Sequence, residues 1–385
     1  MSADLSIPYL LVVRWPVGGI RTHLKYGRDL LTAMPHYALI PTLVAFDDQD
    51  TRLAVSSLGI DPKNDRSQGI HSLFGMAQRI FRLSLNSKFH VVHSQGFISS
   101  VLSSPATVLL RKRHIVSVHD VITDDVIEST SYISRLVLGV CLRLAYAVHA
   151  VGEDCARSIR QLPLMRNARN IIIIKNGIDP KRFTNPVSVD LRTLIGVPKY
   201  TKLIGFFGRF HPQKGFRYLI DALEQLKFRT PELAVHVVAA GNAGTLDEDK
   251  AYAGKKGLTG MVSFVPQAEN PASFMAACDM IVMPSLFEAY SLLAAEVLTL
   301  GIPLIASDCI GLKEVTADTP ARSFPAKNTE ALTKAIQEEL EHPSIEAARA
   351  FVPEARKRFD FTHSALLLNR LLFLAHSGRP LCELY

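Results

Sequence analysis

The sequence predicts an α/β fold of two doubly wound domains, each a parallel sheet with helices on both faces. Three observations predict it. The chain has 385 residues and is 48% apolar, enough for two ordinary α/β domains with full cores. The stretch from Met280 to Ala306 reads strand, loop, helix, strand. The plan of strand, glycine loop and helix recurs after Ile7–Val13 and after Leu203–Phe207, so the two halves share it.

In the first half, Ile7 to Val13 is a continuous apolar run and reads as a buried strand. Arg14-Trp15-Pro16-Val17-Gly18-Gly19 is a loop, and Ile20 opens a helix that runs to about Met34. Tyr37 to Phe46 is the second strand, ending in Asp47-Asp48-Gln49-Asp50. The Asp48-x-Asp50 spacing resembles a metal-binding acid pair, but polar loops after strands routinely carry acids, and that reading is rejected. Phe89–His93, Ile115–Val118, Ala147–Val151 and Ile171–Ile174 are expected strands, and Ser131–Leu144 and Glu153–Leu162 expected helices. Asn176-Gly177 marks a turn, and residues 180–200, rich in Pro, Thr and Asn, read as a linker.

The second half opens with the strand Leu203–Phe207 and the loop Gly208-Arg209-Phe210-His211-Pro212-Gln213-Lys214-Gly215. Leu233–Ala240 and Val262–Val265 are strands, the latter followed by Pro266-Gln267. Met280–Met283 is another, leading through Pro284-Ser285 to a helix. Ser291 is its expected N-cap, LLAAEVLTL supplies strong helix formers, and Gly301-Ile302-Pro303 stops it. Pro303–Ala306 and Ala321–Pro325 are strands, a helix begins near Thr329, and Phe361–Ala375 is a last apolar helix.

Composition excludes several classes. Cys141, Cys155, Cys278, Cys309 and Cys382 are scattered, odd in number and free of C-x-x-C pairs, which speaks for a reducing compartment and against a disulfide framework or zinc site. The start, MSADLSIPYLLVVRWP, has no basic region and reads as a strand rather than a signal peptide. No run approaches the roughly 20 apolar residues of a membrane span. Of the net charge of +7, residues 1–195 carry 23 − 15 = +8 and the remainder 20 − 21 = −1. A basic half points to an anionic partner or to an ordinary solvated surface. Residues 71–88 set Leu73, Phe74, Ala77, Ile80 and Phe81 at helical spacing with Arg79, Arg82 and Lys88, a helix that packs on its own sheet or lies on an anionic membrane. Arg111-Lys112-Arg113-His114 is a second basic cluster. The basic half lacks the interleaved aromatics of a nucleic-acid binder.

The residues with chemistry gather at loop–helix junctions, where helix N-termini bind anions. Glu288 precedes the helix that starts near Ser291, and Glu296 lies about 7–8 Å along it at 1.5 Å per residue. A diphosphate at that N-terminus would have one glutamate near each end, although two acids at a helix start also suit the macrodipole alone. Arg209 and Lys214 put two cations beside another helix start, which suits a diphosphate gaining charge and equally two surface bases.

The segment FEAYSLLAAE, Phe287 to Glu296, after Pro284-Ser285 and before Gly301-Ile302-Pro303, resembles the E-x7-E signature of retaining GT-B glycosyltransferases of the family-4 type. Gly208-Arg209 with Lys214-Gly215, Ser117-Val118-His119-Asp120 and Asn176-Gly177-Ile178-Asp179 extend the likeness over nearly the whole chain. Ala289-Tyr290-Ser291 departs from the commoner Gly-Phe-Gly, leaving a small residue at Ser291 and bulk at Tyr290.

The resemblance implies a GT-B fold, two Rossmann-like doubly wound domains facing a cleft: 1–180 for the acceptor, 181–200 as linker, 201–360 for the nucleotide-sugar and 361–385 as a helix crossing back. It implies Arg209 and Lys214 on the diphosphate, Glu288 on sugar hydroxyls, Glu296 on the ribose and His119 on the donor sugar. His93 is a weaker cleft candidate, and Asp120 orients His119 or caps its loop. Gly18, Gly19, Gly208, Pro266, Gln267, Tyr290, Ser291, Leu292 and Glu314 are carried over as donor-binding. The expected donor is UDP- or GDP-linked, with no metal or other cofactor. The expected acceptor is a glycan, a lipid-linked sugar or a small molecule. The expected place is the cytoplasm, peripheral on the inner face of the membrane. A non-catalytic scaffold and a nucleotide-sugar epimerase remain open.

Overall fold

Twelve strands form two parallel sheets in the computed structural model, which describes residues 5–15, 20, 23–25, 37–57, 60–241, 244–266 and 271–385. The chain divides into two compact units, residues 1–177 with 361–385, and residues 178–360. The division falls at Gly177, where the sequence reading ended its first domain at 180. The stretch read as a linker carries the short helix Leu191–Ile195, tied into the second unit by Arg192 bonding to Asp279.

The first unit holds β1 (Leu5–Val13), β2 (Tyr37–Val44), β3 (Val91–Gln95), β4 (Arg113–Val118), β5 (Ala147–Ala150) and β6 (Ile171–Ile173), in the order β2-β1-β3-β4-β5-β6. Helices cover the sheet, so its central strands are buried: β1 reads as an apolar run, while β3 and β4 also bury His93, Ser94, Gln95 and Ser117. Leu10, Val12, Val44, Met76, Ile80 and Val92 form one side of the core. The last helix, Thr362–Ser377, packs within this unit against β3 and β4.

The second unit holds β7 (Lys202–Phe207), β8 (Val235–Ala240), β9 (Val262–Val265), β10 (Met280–Met283), β11 (Leu304–Ser307) and β12 (Arg322–Phe324), in the order β12-β11-β10-β7-β8-β9. Phe206, Phe210, Phe216 and Phe264 stack with ring centroids 4.8–5.8 Å apart beneath the loop after β7. The strand order reverses between β7 and β10, and the carboxyl ends of strands at such a switch point are where open α/β sheets bind ligands.

Two expectations need correction. His93 was read at a strand end, but β3 runs on to Gln95 and leaves His93 buried in mid-strand. The apolar set of residues 71–88, expected on one face packed on the sheet or lying on a membrane, is split: the helix Leu73–Ser84 buries Ile80 with Met76 and Ser84 and exposes Leu73, Phe74 and Phe81.

Candidate functional site

In the second unit, glycines let the loops at the switch point touch. Gly215 has φ +67°, and a Cβ there would lie 1.9 Å from the Pro284 carbonyl oxygen. Only glycine therefore lets the loop after β7 close on the loop after β10. The contact is then bonded in both directions: Leu286 N donates to Gln213 O (2.8 Å), and Gln213 Nε2 donates to Phe287 O (2.9 Å). Gly311, φ +75°, does the same from the loop after β11, since a Cβ would meet Glu288 O at 2.1 Å. Glu288 N donates to Ile310 O (2.9 Å), so the backbone of this residue is held from both sides.

Glu288 is buried, and its Oε1 accepts from Lys214 Nζ (2.7 Å) and from Ser285 Oγ (2.8 Å). Ser307 Oγ in turn donates to Ser285 O. Arg209 stands exposed on the same loop as Lys214 and has no ion pair or hydrogen bond among the described residues. Ser291 caps the helix Leu292–Leu300, its Oγ accepting from Ala294 N (3.4 Å). Glu296 projects from the second turn of that helix with no hydrogen-bond partner among the described residues. Loss of water pushes its carboxyl up to about 8. Burial and the nearby Glu314 carboxylate push the buried Tyr290 phenol well above its usual range.

In the first unit, a line of polar groups crosses the carboxyl half of the sheet. His119 Nε2 lies 2.7 Å from Gln95 Oε1, and Gln95 Nε2 lies 3.0 Å from His93 Nε2. His93 Nε2 lies 2.8 Å from Ser117 Oγ, which lies 2.8 Å from His149 Nδ1. His149 Nε2 reaches Ile174 O at 2.9 Å. His23 stacks edge-on against His119 with centroids 4.7 Å apart. Burial lowers His23 and His93 to about 3 and His149 to about 4, and it drives His119 well below the usual histidine range.

Residues 191–358 match the model of the family described as glycosyl transferases group 1, and residues 17–182 match that of glycosyltransferase family 4. The chain belongs to the GT-B glycosyltransferases of the family-4 type. It is similar to the D-inositol 3-phosphate glycosyltransferase of Jonesia denitrificans, 33% identical over 156 residues, 38% of this chain and 37% of that one. The phosphatidyl-myo-inositol mannosyltransferase of Mycolicibacterium smegmatis is 28% identical over 190 residues, 48% of this chain and 46% of that protein. Both matches thus span less than half of the relative's length. The crystal structure of Anabaena HepE with UDP and glucose has the same fold, at 20% identity and a TM-score of 0.78, covering 95% of this chain and 99% of that one.

Within this GT-B chain Lys214 pairs with Glu288, Ser291 and Leu292 open the helix that follows, Glu296 lies in its second turn, and Gly208 and Arg209 precede Lys214 on the loop after β7. Glu314 lies on the short helix Leu312–Thr316, close enough to act on Tyr290. Pro266 ends the outer strand β9 and is exposed. Gly18, Gly19 and Gln267 lie outside the described residues. Of the two roles open to Asp120, orienting His119 or capping its loop, the Oδ1 contact fits the second, since it accepts from Val121 N (2.9 Å), while Gln95 contacts His119 Nε2. Asp48 accepts from Thr51 N (2.7 Å) at the start of the helix Gln49–Ser57, a capping role that accounts for an acid there. Among the described residues no group of three or more His, Cys, Asp or Glu is arranged to hold a metal ion.

Sequence reasoning missed Gln95, Gln213, Ser285 and Ser307. Gln95 was readable only by extending β3 two residues beyond His93. Gln213 and Ser307 act on the backbone of loops distant in sequence, which no spacing encodes, and Ser285 bonds Glu288 three residues on through its hydroxyl.

Proposed function

We propose that the chain is a retaining glycosyltransferase that moves a sugar from a UDP- or GDP-sugar to a glycan, lipid-linked or small-molecule acceptor in cell-surface polysaccharide or glycolipid synthesis. The observation that carries this reading is the Lys214–Glu288–Ser285 cluster at the switch point of the second sheet, followed by the helix whose second turn carries Glu296, without a hydrogen-bond partner among the described residues. As the donor bond breaks, charge gathers on the leaving diphosphate. Arg209, Lys214 and the N–H groups behind Ser291 meet that charge without a metal. Glu288 accepts from sugar hydroxyls, Glu296 from the ribose, and His119 contacts the sugar. Likeness to the retaining family favours departure of the diphosphate and attack by the acceptor on one face of the sugar.

A thermal-shift series with UDP, GDP and ADP, each with and without EDTA, tests the donor half. Ligand at 100 times Kd adds about 2.7 kcal/mol to the native state. A shift with one diphosphate, unaltered by EDTA, is expected. Silence with all three would place the chain among non-catalytic GT-B scaffolds. The anomeric configuration of the transfer product, read by NMR, decides retention.

A peripheral membrane position has its own support. Residues 66–119 contain no Asp or Glu but hold Arg66, Arg79, Arg82, Lys88, Arg111, Lys112 and Arg113, and residues 129–152 are acid-free with Arg135 and Arg143. These stretches supply the helices Leu73–Ser84, Phe97–Leu109 and Tyr132–Leu144, which pack side by side. The middle helix is turned inside out: Ser99, Ser100, Ser103, Ser104 and Thr107 face the core, while Ile98, Val108 and Leu109 face outward. Tyr132, Ile133, Val137 and Leu144 are exposed beside it. Apolar side chains ringed by bases, with no acid to repel lipid phosphates, fit an anionic bilayer surface. Among the described residues no helix is long and apolar enough to cross a membrane. Co-sedimentation with anionic but not neutral vesicles is expected at low salt, weakened by Ile133→Ser with Leu109→Ser. Equal recovery with both vesicle types, or concentration-dependent dimers in light scattering, would overturn the membrane reading.

A further inference from the structure

We infer that Gln95 is a positioning residue that fixes the tautomer of His119, so that His119 offers a neutral Nδ1–H to the ligand and cannot serve as a base. The inference rests on the donor-sugar role proposed above for His119.

The protons can be counted from one end. A carbonyl oxygen only accepts, so His149 Nε2, 2.9 Å from Ile174 O, carries a proton. His149 is fully buried and neutral, which leaves a lone pair on Nδ1. The hydroxyl of Ser117, 2.8 Å away, has one proton and gives it to that lone pair. His93 Nε2, 2.8 Å from the same oxygen, must then be a donor. A donor nitrogen needs an oxygen at its other contact, and that contact is the Gln95 amide.

The two ends of an amide have nearly the same shape, and their neighbours decide which is which. With nitrogen toward His93, as in the structure at 3.0 Å, the line is one proton short. Two lone pairs would then face each other at 2.8 Å, either between His93 and Ser117 or between Ser117 and His149. Turning the amide end for end removes the conflict. The single His93 Nε2–H is then shared by two acceptors, Ser117 Oγ and Gln95 Oε1, and the Gln95 NH2 donates to His119 Nε2. Gln95 is buried, so each of these bonds matters in full. His119, with its Nε2 lone pair occupied, carries its proton on Nδ1. That nitrogen has no partner among the described residues and is not sealed from solvent.

The imidazole nitrogens of 15N-histidine-labelled full chain, read by NMR at pH 7.5, test the inference, with His119→Gln used to assign the signal. His119 is expected as the Nδ1–H form, and His93 and His149 as Nε2–H. Gln95→Met, close in size but unable to donate, should release His119 into a mixture containing the Nε2–H form. Its kcat/KM for sugar transfer should fall about 10-fold, the scale of one hydrogen bond to a buried group. Gln95→Glu, which only accepts at this position, should protonate His119 at Nε2. An Nε2–H form of His119 in the native chain, a doubly protonated His149, or an unchanged His119 tautomer in both variants would each overturn the inference. Absence of transfer by the native chain would refute the functional reading and leave the tautomer result standing.

Discussion

Lys214 Nζ sits 2.7 Å from Glu288 Oε1, so the cation assigned to the diphosphate and the carboxylate assigned to the sugar are one ion pair. They come from loops leaving β7 and β10, the two strands that flank the reversal in sheet order. Glu288 is buried and Lys214 only partly so. A lysine has three protons and spends one here, so it can still donate to a phosphate oxygen. The pair fixes both side chains before a ligand arrives, which spares the reaction the cost of ordering them.

Arg209 and Lys214 should therefore behave alike in turnover and differently in stability. Either residue changed to alanine should cut kcat by about 100-fold, as when a developing charge loses its partner. Lys214→Ala also leaves Glu288 buried with only the Ser285 hydroxyl as donor, and should cost roughly 1–3 kcal/mol, reduced from a fully buried pair by the solvent at Lys214. Arg209→Ala breaks no bond among the described residues and should leave Tm unchanged. Near-normal turnover in either variant, measured on the identified donor, would refute the clamp.

The glycines at these loop contacts should be intolerant even of a methyl group. In Gly215→Ala the new Cβ would lie 1.9 Å from Pro284 O with φ held at +67°. Left-handed strain costs about 1–3 kcal/mol, and the clash adds to it. The relief available is withdrawal of one loop from the other, which separates Lys214 from Glu288. Loss of several degrees in Tm together with loss of turnover is expected; Gly196→Ala, equally left-handed but facing open space, should lose stability alone.

Much of this arrangement was legible in the sequence for definite reasons. Helix starts and stops carry local chemistry, so Ser291 and Gly301 marked the Leu292–Leu300 helix to the residue. Apolar runs marked the strands. The pairing of Lys214 with Glu288 was hidden, because it depends on β7 and β10 being neighbours across 74 residues of chain. The line from His119 to Ile174 was hidden for the same reason, since it crosses four strands through single side chains. The helix Phe97–Leu109 gave no amphipathic signal because its serines face inward, where their hydroxyls bond to carbonyls one turn back.

Histidines buried as neutral rings make the first unit acid-sensitive. His23, His93 and His114 are lowered to about 3, His149 to about 4, and His119 falls in the same direction, all through burial. Unfolded histidines titrate near 6.5, so below that pH the unfolded chain binds more protons than the folded one. The stability is full above 6.5 and is lost as pH falls toward 4, by about 1.4 kcal/mol per pH unit for each histidine. Urea midpoints at pH 7.5, 6.0 and 5.0 should fall steeply, and His114→Gln should flatten the slope by about one proton. A midpoint constant from pH 7.5 to 5.0 would contradict the neutral cluster.

Glu296 works in the opposite sense. Its folded pKa, about 8, lies above the unfolded value near 4.5, so the folded chain holds the extra proton and stability falls as pH rises from about 4.5 to 8. Glu296→Gln should thus raise Tm more at pH 8.5 than at pH 5. Ligand binding follows the same titration. A ribose hydroxyl donates best to the ionised carboxylate, which at pH 7 is only about one tenth of the population. Nucleotide affinity should rise roughly 10-fold between pH 7 and 9 in the native chain and stay flat in Glu296→Gln. Calorimetry with the diphosphate that gives the thermal shift measures both. Parallel pH profiles in the two proteins would remove Glu296 from the ribose and leave it as a half-buried carboxyl of the helix alone.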